Sequence, residues 1–436
     1  MPERPNVLVV LTDQQRWDTV GAYGSRMDLT RNVDEMAEEG TLVEQMFTPQ
    51  PVCGPARGCI QTGQYATDHG NWKNSHTTIP SENTLADIFS QNGYDVGYVG
   101  KWHLGASDLE TDPTPFDQRG GYDGYWRASN ILEFTSHAYE GHIYDENGNE
   151  IRFEDRYRVD AITDFAETFI RRDRDNPFFC FLSYIEPHHQ NDRETYDAPD
   201  GYAERYANPW VPEDLKDIPG DWNEELPSYY GICRRIDENL GRLLDVLDDE
   251  GLDDTVVLFT SDHGNHFRTR NAEYKRSCHE ASIRVPAIFH GPGFENGRRI
   301  HELASLLDVP ATLLDSAGLD VPESMVGRSL VPLATEPADE WREEVFIQIS
   351  EAEVGRAIRT DRWKYSVFDP TADGGETPAS DTYIERYLYD LTADPYEQVN
   401  LVARDDYQDV ARNLRQRLQT HIETIENRTV QIESSL

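Results

Sequence analysis

Four short polar clusters carry side chains whose types suit metal binding, anion binding and proton transfer. Each cluster lies directly after a short apolar run: Asp13-Gln14, Lys101-Trp102-His103, Pro187-His188-His189 and Asp262-His263. Carboxylates are ligands for hard divalent cations, imidazole binds metals and carries protons, and lysine is a compact positive charge. If the apolar runs are parallel strands of one open sheet, the four clusters meet in the crevice beyond the carboxyl ends of those strands.

A fifth candidate is the run Cys53-Gly54-Pro55-Ala56-Arg57, which Thr62-Gly63 follows. Pro55 predicts that a helix begins here, since the missing N–H of proline costs nothing at the first helical position. The N-terminus of a helix favours an anion, and Arg57 lies one turn along this helix, where it can hydrogen-bond residue 53. Taken alone, the run is equally typical of a buried cysteine ahead of a helix.

The elements that must position these clusters are predicted from apolar periodicity. Five short apolar runs are typical of buried strands: Asn6–Leu11, Asp95–Val99, Phe178–Tyr184, Thr255–Thr260 and Val285–His290. Helical patterns lie between them, at Asn32–Glu39, Thr84–Gln91, Arg158–Arg171 and Tyr229–Asp249. The alternation predicts an α/β domain in which helices sandwich a large, mostly parallel sheet.

The pattern changes after about Val331-Pro332. Four further strand-like runs precede one amphipathic helix near Asp406–Glu426; the runs are Glu344–Ile349, Gly355–Arg359, Trp363–Phe368 and Tyr387–Asp390. We therefore predict two units, a catalytic α/β domain over residues 1–335 and a small C-terminal α+β subdomain over residues 336–436, the latter an antiparallel sheet with a helix packed on it.

Two long segments, about Ala106–Arg156 and Gln190–Pro227, show no regular pattern and are rich in Tyr, Trp, Asp and Gly. Loops of this length inside a compact domain are usually functional or mobile. We expect them to wall the substrate cleft.

The charge balance excludes some functions. The formal net charge is −41, from 81 acidic and 40 basic residues, and this sign argues against nucleic-acid binding. Only five of the basic residues are lysines. We interpret the acidic surface as halophilic, because concentrated salt screens its self-repulsion. A surface for a cationic partner is the alternative.

The cellular compartment is predicted from three features that the sequence lacks. No basic, apolar and small-residue leader is visible, and no apolar run approaches the roughly 20 residues that span a bilayer. The five cysteines are an odd number without disulfide-scaffold spacing. We expect a cytoplasmic protein with no membrane partner, although a chain trimmed of its leader would look the same.

With these residues, the chain resembles the formylglycine-dependent (type I) sulfatases of the alkaline phosphatase superfamily, and the likeness runs nearly end to end. The motifs that carry it, in family order, are Val10-Leu-Thr-Asp13-Gln, the Cys53 run, Gly100-Lys-Trp-His103-Leu-Gly, Pro187-His188, Thr260-Ser-Asp262-His263-Gly264, Lys275 to Glu280, Arg284-Val-Pro-Ala, Arg359-Thr-Asp-Arg-Trp-Lys364-Tyr and Leu388-Tyr-Asp-Leu-Thr-Ala-Asp394-Pro-Tyr-Glu397. The resemblance implies an alkaline phosphatase-like fold and a hydrolase that cleaves a sulfate ester.

The resemblance also implies how residue 53 acts. A formylglycine-generating maturation enzyme oxidises Cys53 to an aldehyde, and one hydroxyl of the aldehyde hydrate attacks sulfur and expels the alcohol. The second hydroxyl then loses its proton, the carbonyl reforms, and sulfate leaves. A plain cysteine cannot complete that second step.

A metal site and a set of charged helpers are implied in the same way. The metal ligands would be Asp13, Gln14, Asp262, His263 and an oxygen of modified Cys53, a hard donor set that favours Ca²⁺, with Mg²⁺ or Mn²⁺ open. Many relatives carry Asp at the position of Gln14 and Asn at that of His263.

The implied helpers surround the sulfate group. Lys101 neutralises the nucleophile region, and His103 deprotonates the hydrate. Lys275 and His188 bind sulfate oxygens and protonate the leaving alcohol. Two further residues are predicted substrate contacts: Asn74 and His279.

Two other functions remain open on the sequence. A phosphonate monoester or phosphodiester hydrolase of the same superfamily fits the pairs Asp13-Gln14 and Asp262-His263, but those enzymes generally lack the Lys-x-His motif at 101–103. A catalytically silent sulfatase-like binding protein would keep Cys53 unmodified. The ester itself, which could be a sugar, aryl or alkyl sulfate, is not predicted. Six side chains are candidate sugar contacts: Tyr125, Trp126, His137, His142, Trp210 and Trp222.

Overall fold

A large, mostly parallel sheet organises the chain. The computed structural model describes residues 4–74, 78–80, 82–106, 110–336 and 340–434. Within these residues the sheet has 11 strands: β1 (Asn6–Thr12), β2 (Thr41–Phe47), β3 (Asp95–Lys101), β4 (Tyr125–Ser129), β5 (Glu140–Tyr144), β6 (Glu150–Glu154), β7 (Phe178–Ser183), β8 (Thr255–Ser261), β9 (Arg284–Val285), β10 (Ala287–His290) and β11 (Arg298–Ser305). Their order is β11-β2-β10-β8-β1-β7-β3-β4-β5-β6, and β9 pairs with β2.

The register of the central strands sets where the functional side chains lie. β1 runs parallel to both β7 and β8, with Leu11 opposite Ser183 on one side and Thr260 on the other. β3 is parallel to β7, with Gly100 opposite Ser183. Four strands therefore end at the same edge of the sheet, which is the arrangement that the sequence predicts.

Helices cover both faces of this sheet. In the described residues they are α1 (Arg31–Glu39), α2 (Cys53–Thr62), α3 (Ala66–His69), α4 (Leu85–Gln91), α5 (Leu132–Thr135), α6 (Arg158–Ile170), α7 (Tyr202–Arg205), α8 (Glu213–Lys216), α9 (Trp222–Asp249), α10 (Glu280–Ile283), α11 (Asp308–Ser316), α12 (Val331–Thr335) and α13 (Gln408–Ile425). Alternate residues of β1 enter different cores, because successive strand side chains point to opposite faces. Leu8 and Val10 pack with α1, α6 and α9, whereas Val7 and Val9 pack with α4 and α11.

The second sheet is small and antiparallel except at one edge. Its five strands in the described residues are β12 (Glu344–Ile349), β13 (Val354–Thr360), β14 (Trp363–Asp369), β15 (Thr382–Asp390) and β16 (Gln431–Glu433), in that order. Leu414, Leu418 and Ile422 of α13 pack on Ile358 and Tyr365. The predicted pair of sheets is confirmed, while the division of the chain at residue 335 stays a prediction.

Three sequence expectations need correction. Pro55 is the third residue of α2, which begins at Cys53, so it lies within the first turn and not at its first position. Helix α9 begins at Trp222, ahead of Pro227, because the proline falls in the early turns and not in the middle of the helix. The segment 106–156 is not irregular: its described part, without residues 107–109, contains β4, β5, β6 and α5.

Among the described residues, no helix combines the length and hydropathy of a membrane span.

Candidate active site

Four potential metal ligands meet where β1 and β8 end and α2 begins. One donor atom each from Asp13, Cys53, Asp262 and His263 lies within 4.8 Å of all the others, and all four residues are buried. The Cys53 Sγ lies 3.4 Å from Asp13 Oδ1 and 3.2 Å from His263 Nε2. His263 Nε2 is 3.6 Å from an oxygen of each carboxylate.

Backbone hydrogen bonds hold the carboxylate of Asp262 in place. The N–H groups of Gln14 and His263 both donate to Asp262 Oδ1, at 3.2 and 2.8 Å. Gln14 adopts a positive φ of 69°, a left-handed conformation that non-glycine residues seldom take. The hydroxyl of Tyr229 donates to the Gln14 carbonyl at 2.8 Å, which anchors this turn to helix α9.

The side chain of Gln14 adjoins the cluster without a full set of partners. Its Oε1 accepts from the backbone N–H of His189 at 3.3 Å. Its Nε2 is buried and has no hydrogen-bond partner among the described residues. Buried polar atoms are rarely left unsatisfied, so this atom marks a place where a ligand or water is expected.

Arg57 binds the two carboxylates and not residue 53. Its guanidinium reaches Asp13 Oδ2 at 3.0 Å and Asp262 Oδ2 at 3.1 Å, and it also donates to the Lys101 carbonyl at 2.9 Å. The sequence predicts that Arg57 hydrogen-bonds Cys53; the structure shows that it instead orients both candidate metal ligands. The reason is geometric: one turn along α2 brings the guanidinium under the strand ends, where two carboxylates outcompete a thiol.

Positive side chains surround the sulfur. Lys275 Nζ lies 2.7 Å from Cys53 Sγ, 3.1 Å from His188 Nε2 and 3.3 Å from His263 Nε2. Lys101, the last residue of β3, donates to Asp13 Oδ2 at 2.6 Å. This concentration of cations in a buried site suits an anionic substrate group.

His103 and Asn74 complete the inner wall. His103 follows β3 with a positive φ of 57° and hydrogen-bonds the sulfur of Cys53. Burial, with Lys101 nearby, lowers the pKa of His103 to about 4, so it is neutral and able to accept a proton. Asn74 Oδ1 accepts from the N–H of Gly54 at 3.0 Å. The predicted catalytic set and Asn74 are thus gathered at one place.

The thiol of Cys53 differs electrostatically from the other cysteines. Burial opposes its ionisation, yet Lys101, Lys275 and His263 outweigh burial and hold the pKa of Cys53 well below its usual range. For the remaining four cysteines burial dominates and raises the pKa, to about 12 for both Cys180 and Cys278. A residue in this environment is disposed to carry negative charge or to bind a cation.

The pKa values of the two carboxylates in this cluster are shifted in opposite directions. Burial opposes ionisation of Asp13, but Lys101, His188 and Arg57 hold its pKa below the usual value. Burial and the adjacent charge of Asp13 raise the pKa of Asp262 to about 6. Two acidic groups forced together in a dry site are the arrangement that a divalent cation relieves.

His279 does not reach this site. Its ring nitrogens lie 3.1 Å from the hydroxyls of Ser277 and Tyr389, and its ring packs on Tyr387 of the small sheet. Burial lowers its pKa well below the usual range. We therefore withdraw the predicted substrate contact of His279, which is a buried histidine between the two sheets.

A cavity of about 420 Å³ opens from this site to the surface, and six of the predicted site residues line it: Cys53, Asn74, Lys101, His103, His188 and Lys275. Both long segments named from the sequence contribute to its wall: Ile131, Glu133 and Phe134 come from the first, and Asn191 and Glu194 from the second. These residues were not predicted from the sequence. The adjacent pair Glu133-Phe134 was the one sequence feature that could have indicated a substrate contact, but an aromatic residue beside a carboxylate occurs at many other places in the chain.

None of the six predicted sugar contacts lines this cavity. Tyr125 and Trp126 belong to β4 and are 2% and 0% exposed, because they fill the two cores on either side of the sheet. His137 and His142 line a neighbouring cavity of about 230 Å³. Trp210 and Trp222 lie near helix α9, where the indole of Trp222 donates to the Ile218 carbonyl.

The donor set fits a divalent cation. Asp13, Asp262 and His263 offer oxygen and nitrogen ligands at mutual distances that one ion can satisfy, and an oxygen at residue 53 would make the set harder still.

Comparisons with known proteins agree with this geometry. The family described as Sulfatase matches residues 5–319, and the family described as N-sulphoglucosamine sulphohydrolase, C-terminal, matches residues 273–424. The chain is 30% identical to an ulvan-active sulfatase of Formosa agariphila, over 95% of this chain and 80% of that protein. It is 28% identical to an arylsulfatase of Clostridium perfringens, over 96% of this chain and 95% of the relative.

A solved structure from Bacteroides fragilis, described as a sulfatase candidate, superposes with a TM-score of 0.84 at 23% identity. The match covers 97% of this chain and 96% of that one. This likeness confirms the predicted fold class.

Proposed function

This chain belongs to the sulfatase family, and on that premise we propose that it hydrolyses a sulfate monoester with residue 53, matured from cysteine to formylglycine, as its nucleophile. The observation that carries the proposal is the convergence on Cys53 of a carboxylate-rich metal cluster on one side and Lys275 and His188 on the other. A sulfate ester needs both, because its oxygens are anionic and its sulfur must be approached by a strong nucleophile.

The cluster of Asp13, Asp262 and His263, with Gln14 beside it, would hold a divalent cation, for which Ca²⁺ is our first choice. When bound, this ion supplies charge neutralisation for the oxygens at residue 53 and on the sulfate group. Arg57 binds Asp13 and Asp262 and so keeps their remaining oxygens turned toward the shared centre.

The other side chains of the site serve in proton transfer and in charge stabilisation. His103, which contacts residue 53 and is neutral because its pKa is lowered to about 4, is placed to accept the hydroxyl proton of that residue. Lys275 and His188 lie 3.1 Å apart and face the sulfur from the open side, where they would bind sulfate oxygens and protonate the leaving alcohol. Lys101 stabilises Asp13 in its ionised form through their ion pair of 2.6 Å.

A phosphonate monoester or phosphodiester hydrolase is the second candidate. Gln14 and His263 favour it, because those enzymes pair Asp with Gln and Asp with His at the metal. The Lys101 and His103 pair favours the sulfatase, and so do the named relatives.

The first experiment compares the sulfate ester of one phenol with its phosphorus esters. We expect the matured protein to hydrolyse 4-nitrophenyl sulfate with a larger kcat/KM than bis(4-nitrophenyl) phosphate or a 4-nitrophenyl phosphonate. Cys53→Ala should remove sulfate ester hydrolysis and keep the thermal unfolding profile, because the nucleophile is lost while the small buried side chain is nearly conserved in size. Cys59→Ala, nearly two turns further along α2, is the matched control and should retain turnover.

A larger kcat/KM on the phosphorus esters would assign the chain to the second candidate. Undiminished sulfate release by Cys53→Ala would remove the covalent role of residue 53.

A further inference from the structure

A short helix at the mouth of the cavity presents an exposed aromatic ring. Phe134, on α5 (Leu132–Thr135), is 48% exposed and lines the cavity that contains Cys53. About half of this residue faces water at the cavity mouth, so a ligand that covers the ring would gain the free energy of burying apolar surface. The feature therefore points to a ligand that covers the ring.

The residue before it is a buried carboxylate with spare hydrogen-bonding capacity. Glu133 is 6% exposed and lines the same cavity. Its two oxygens accept from the backbone N–H and the side-chain amide of Asn191, at 2.8 and 3.2 Å. Both donors are neutral, and no ion pair of Glu133 is present among the described residues. Each carboxylate oxygen has a second acceptor position for a ligand hydroxyl or ammonium group.

Two other carboxylates of the cavity wall form ion pairs. Glu194 pairs with Arg268 at 3.1 Å, and Glu273 pairs with Arg276 at 2.8 Å. These outer ion pairs leave little net charge to attract further anionic groups. The wall near Phe134 is thus suited to hydroxyl-bearing material more than to an additional sulfate or carboxylate.

The ring of Phe134 also borders a second cavity. This neighbouring space of about 230 Å³ is lined by Phe134, His137, His142, Arg152 and other polar side chains. The ring of Phe134 therefore lines two adjacent depressions, one that contains Cys53 and one whose wall is mostly polar, with Phe153 as a second aromatic residue. An aromatic platform flanked by polar groups matches the surface of a pyranose, which has an apolar C–H face and a rim of hydroxyls.

We propose that Phe134 and Glu133 form a saccharide subsite, and that the second cavity takes the next sugar unit, so that the substrate is a sulfated oligo- or polysaccharide. This inference rests on the proposed sulfatase function and specifies its substrate class. The sulfated unit lies in the larger cavity with a hydroxyl on Glu133, its neighbour crosses the face of Phe134, and His137 and His142 contact the unit beyond. A small aryl or alkyl sulfate occupies the larger cavity alone.

The test measures the dependence of turnover on chain length. Mono-, di- and tetrasaccharide fractions of ulvan, chondroitin sulfate, heparin and carrageenan are offered to the matured protein, and released sulfate is quantified by ion chromatography; 4-nitrophenyl sulfate serves as the small substrate. The wild-type protein should prefer di- or tetrasaccharides over the monosaccharide of at least one series. Phe134→Ala should reduce kcat/KM on the longer substrates by about tenfold and flatten the length dependence.

The chain offers a matched control for this substitution. Phe116 is another exposed phenylalanine, at 65%, and lines neither of the two cavities. Phe116→Ala should leave the length dependence unchanged. Glu133→Gln, which keeps one carbonyl acceptor for Asn191, should lower kcat/KM on saccharides by about tenfold and lower it less on 4-nitrophenyl sulfate, which has no hydroxyl to donate to residue 133.

The outcomes separate this inference from the proposed function. Hydrolysis of 4-nitrophenyl sulfate without sulfate release from any saccharide, or a length dependence that survives Phe134→Ala, overturns the subsite while the sulfatase stands. Hydrolysis of neither kind of sulfate ester overturns the proposed function itself.

Discussion

At the scale of single residues, the sequence indicates which chemistry the site can perform but not which contacts its side chains make. The positions of Asp13, Asp262 and His263 after strand ends were enough to predict that they meet in one crevice, while their assignment as metal ligands came from the family resemblance. The partner of Arg57 was not predictable, because a guanidinium on a helix can reach several neighbours and only the packing of α2 under the strand ends selects the two carboxylates.

His279 illustrates the same limit. It lies four residues after Lys275 in the sequence, yet the intervening turn carries it away to Tyr389 of the small sheet. Closeness to Lys275 in the sequence does not determine where the side chain of His279 points after a turn. Glu133 and Phe134 were missed for the complementary reason, since nothing in their local pattern shows that a helix of four residues borders the crevice.

The candidate metal site formed by Asp13, Cys53, Asp262 and His263 yields a prediction at this scale. Exhaustive chelation should abolish sulfate ester hydrolysis, and Ca²⁺ should restore it, because an unneutralised pair of buried carboxylates repels an anionic substrate. Ca²⁺ should also raise the Tm of the chelated protein, since it binds the folded state alone. Asp262→Asn should lose most of that rise. Full turnover in excess chelator would contradict the metal site, whatever the effect on Tm.

At the scale of elements, the strand ends were predictable and the sheet edges were not. The central strands β1, β3, β7 and β8 are nearly continuous apolar runs because both of their faces are buried. Strand β11 lies at the edge and reads Arg-Arg-Ile-His-Glu-Leu-Ala-Ser, which carries no strand pattern. Its hydrogen bonds to β2 come from the fold and not from local preference.

Helix packing on the sheet provides a pH prediction. Asp237 of α9 accepts from the backbone N–H of Val33 at 2.9 Å and from the Asn32 side chain at 3.0 Å, which ties it to the first turn of α1. Burial raises its pKa from 3.8 to about 6. The folded state then binds this proton more tightly than the unfolded state, so the group's contribution to the free energy of unfolding falls as pH rises from about 4 to about 6.

Asp237→Asn should remove that fall. The stability of the variant relative to the wild-type protein should therefore increase from about pH 4 to about pH 6, and the difference should stay constant at higher pH. Urea unfolding at a series of pH values measures the difference. Asp248→Asn, at an exposed position on the same helix, should follow the wild-type curve. A difference between Asp237→Asn and wild type that is independent of pH would refute the assignment.

At the scale of the whole molecule, charge is the dominant property. The net charge of −41 is spread along the chain, and five lysines against 35 arginines leave few compact cations on the surface. Two of those lysines, Lys101 and Lys275, are buried at the candidate site, and Lys364 is buried between Glu280 and Glu397. The net charge and the lysine count follow from the sequence alone, whereas the burial of these three lysines depends on the fold.

We predict that salt stabilises the protein. Raising KCl from about 0.05 M to about 2 M shortens the Debye length from more than 10 Å to about 2–3 Å and screens the repulsion among surface carboxylates, so Tm should rise steadily. Differential scanning fluorimetry across the series measures this. A Tm that is flat or falls with salt would contradict a halophilic surface.

The chemical state of residue 53 tests the account most directly. Trypsin releases one peptide from Asn32 to Arg57 that contains this residue. In protein that hydrolyses a sulfate ester, we expect the peptide mass of the aldehyde, which an aldehyde-specific hydrazide reagent also captures, in proportion to the active fraction. A fully active preparation in which every copy of the peptide carries an unmodified thiol would contradict the central claim.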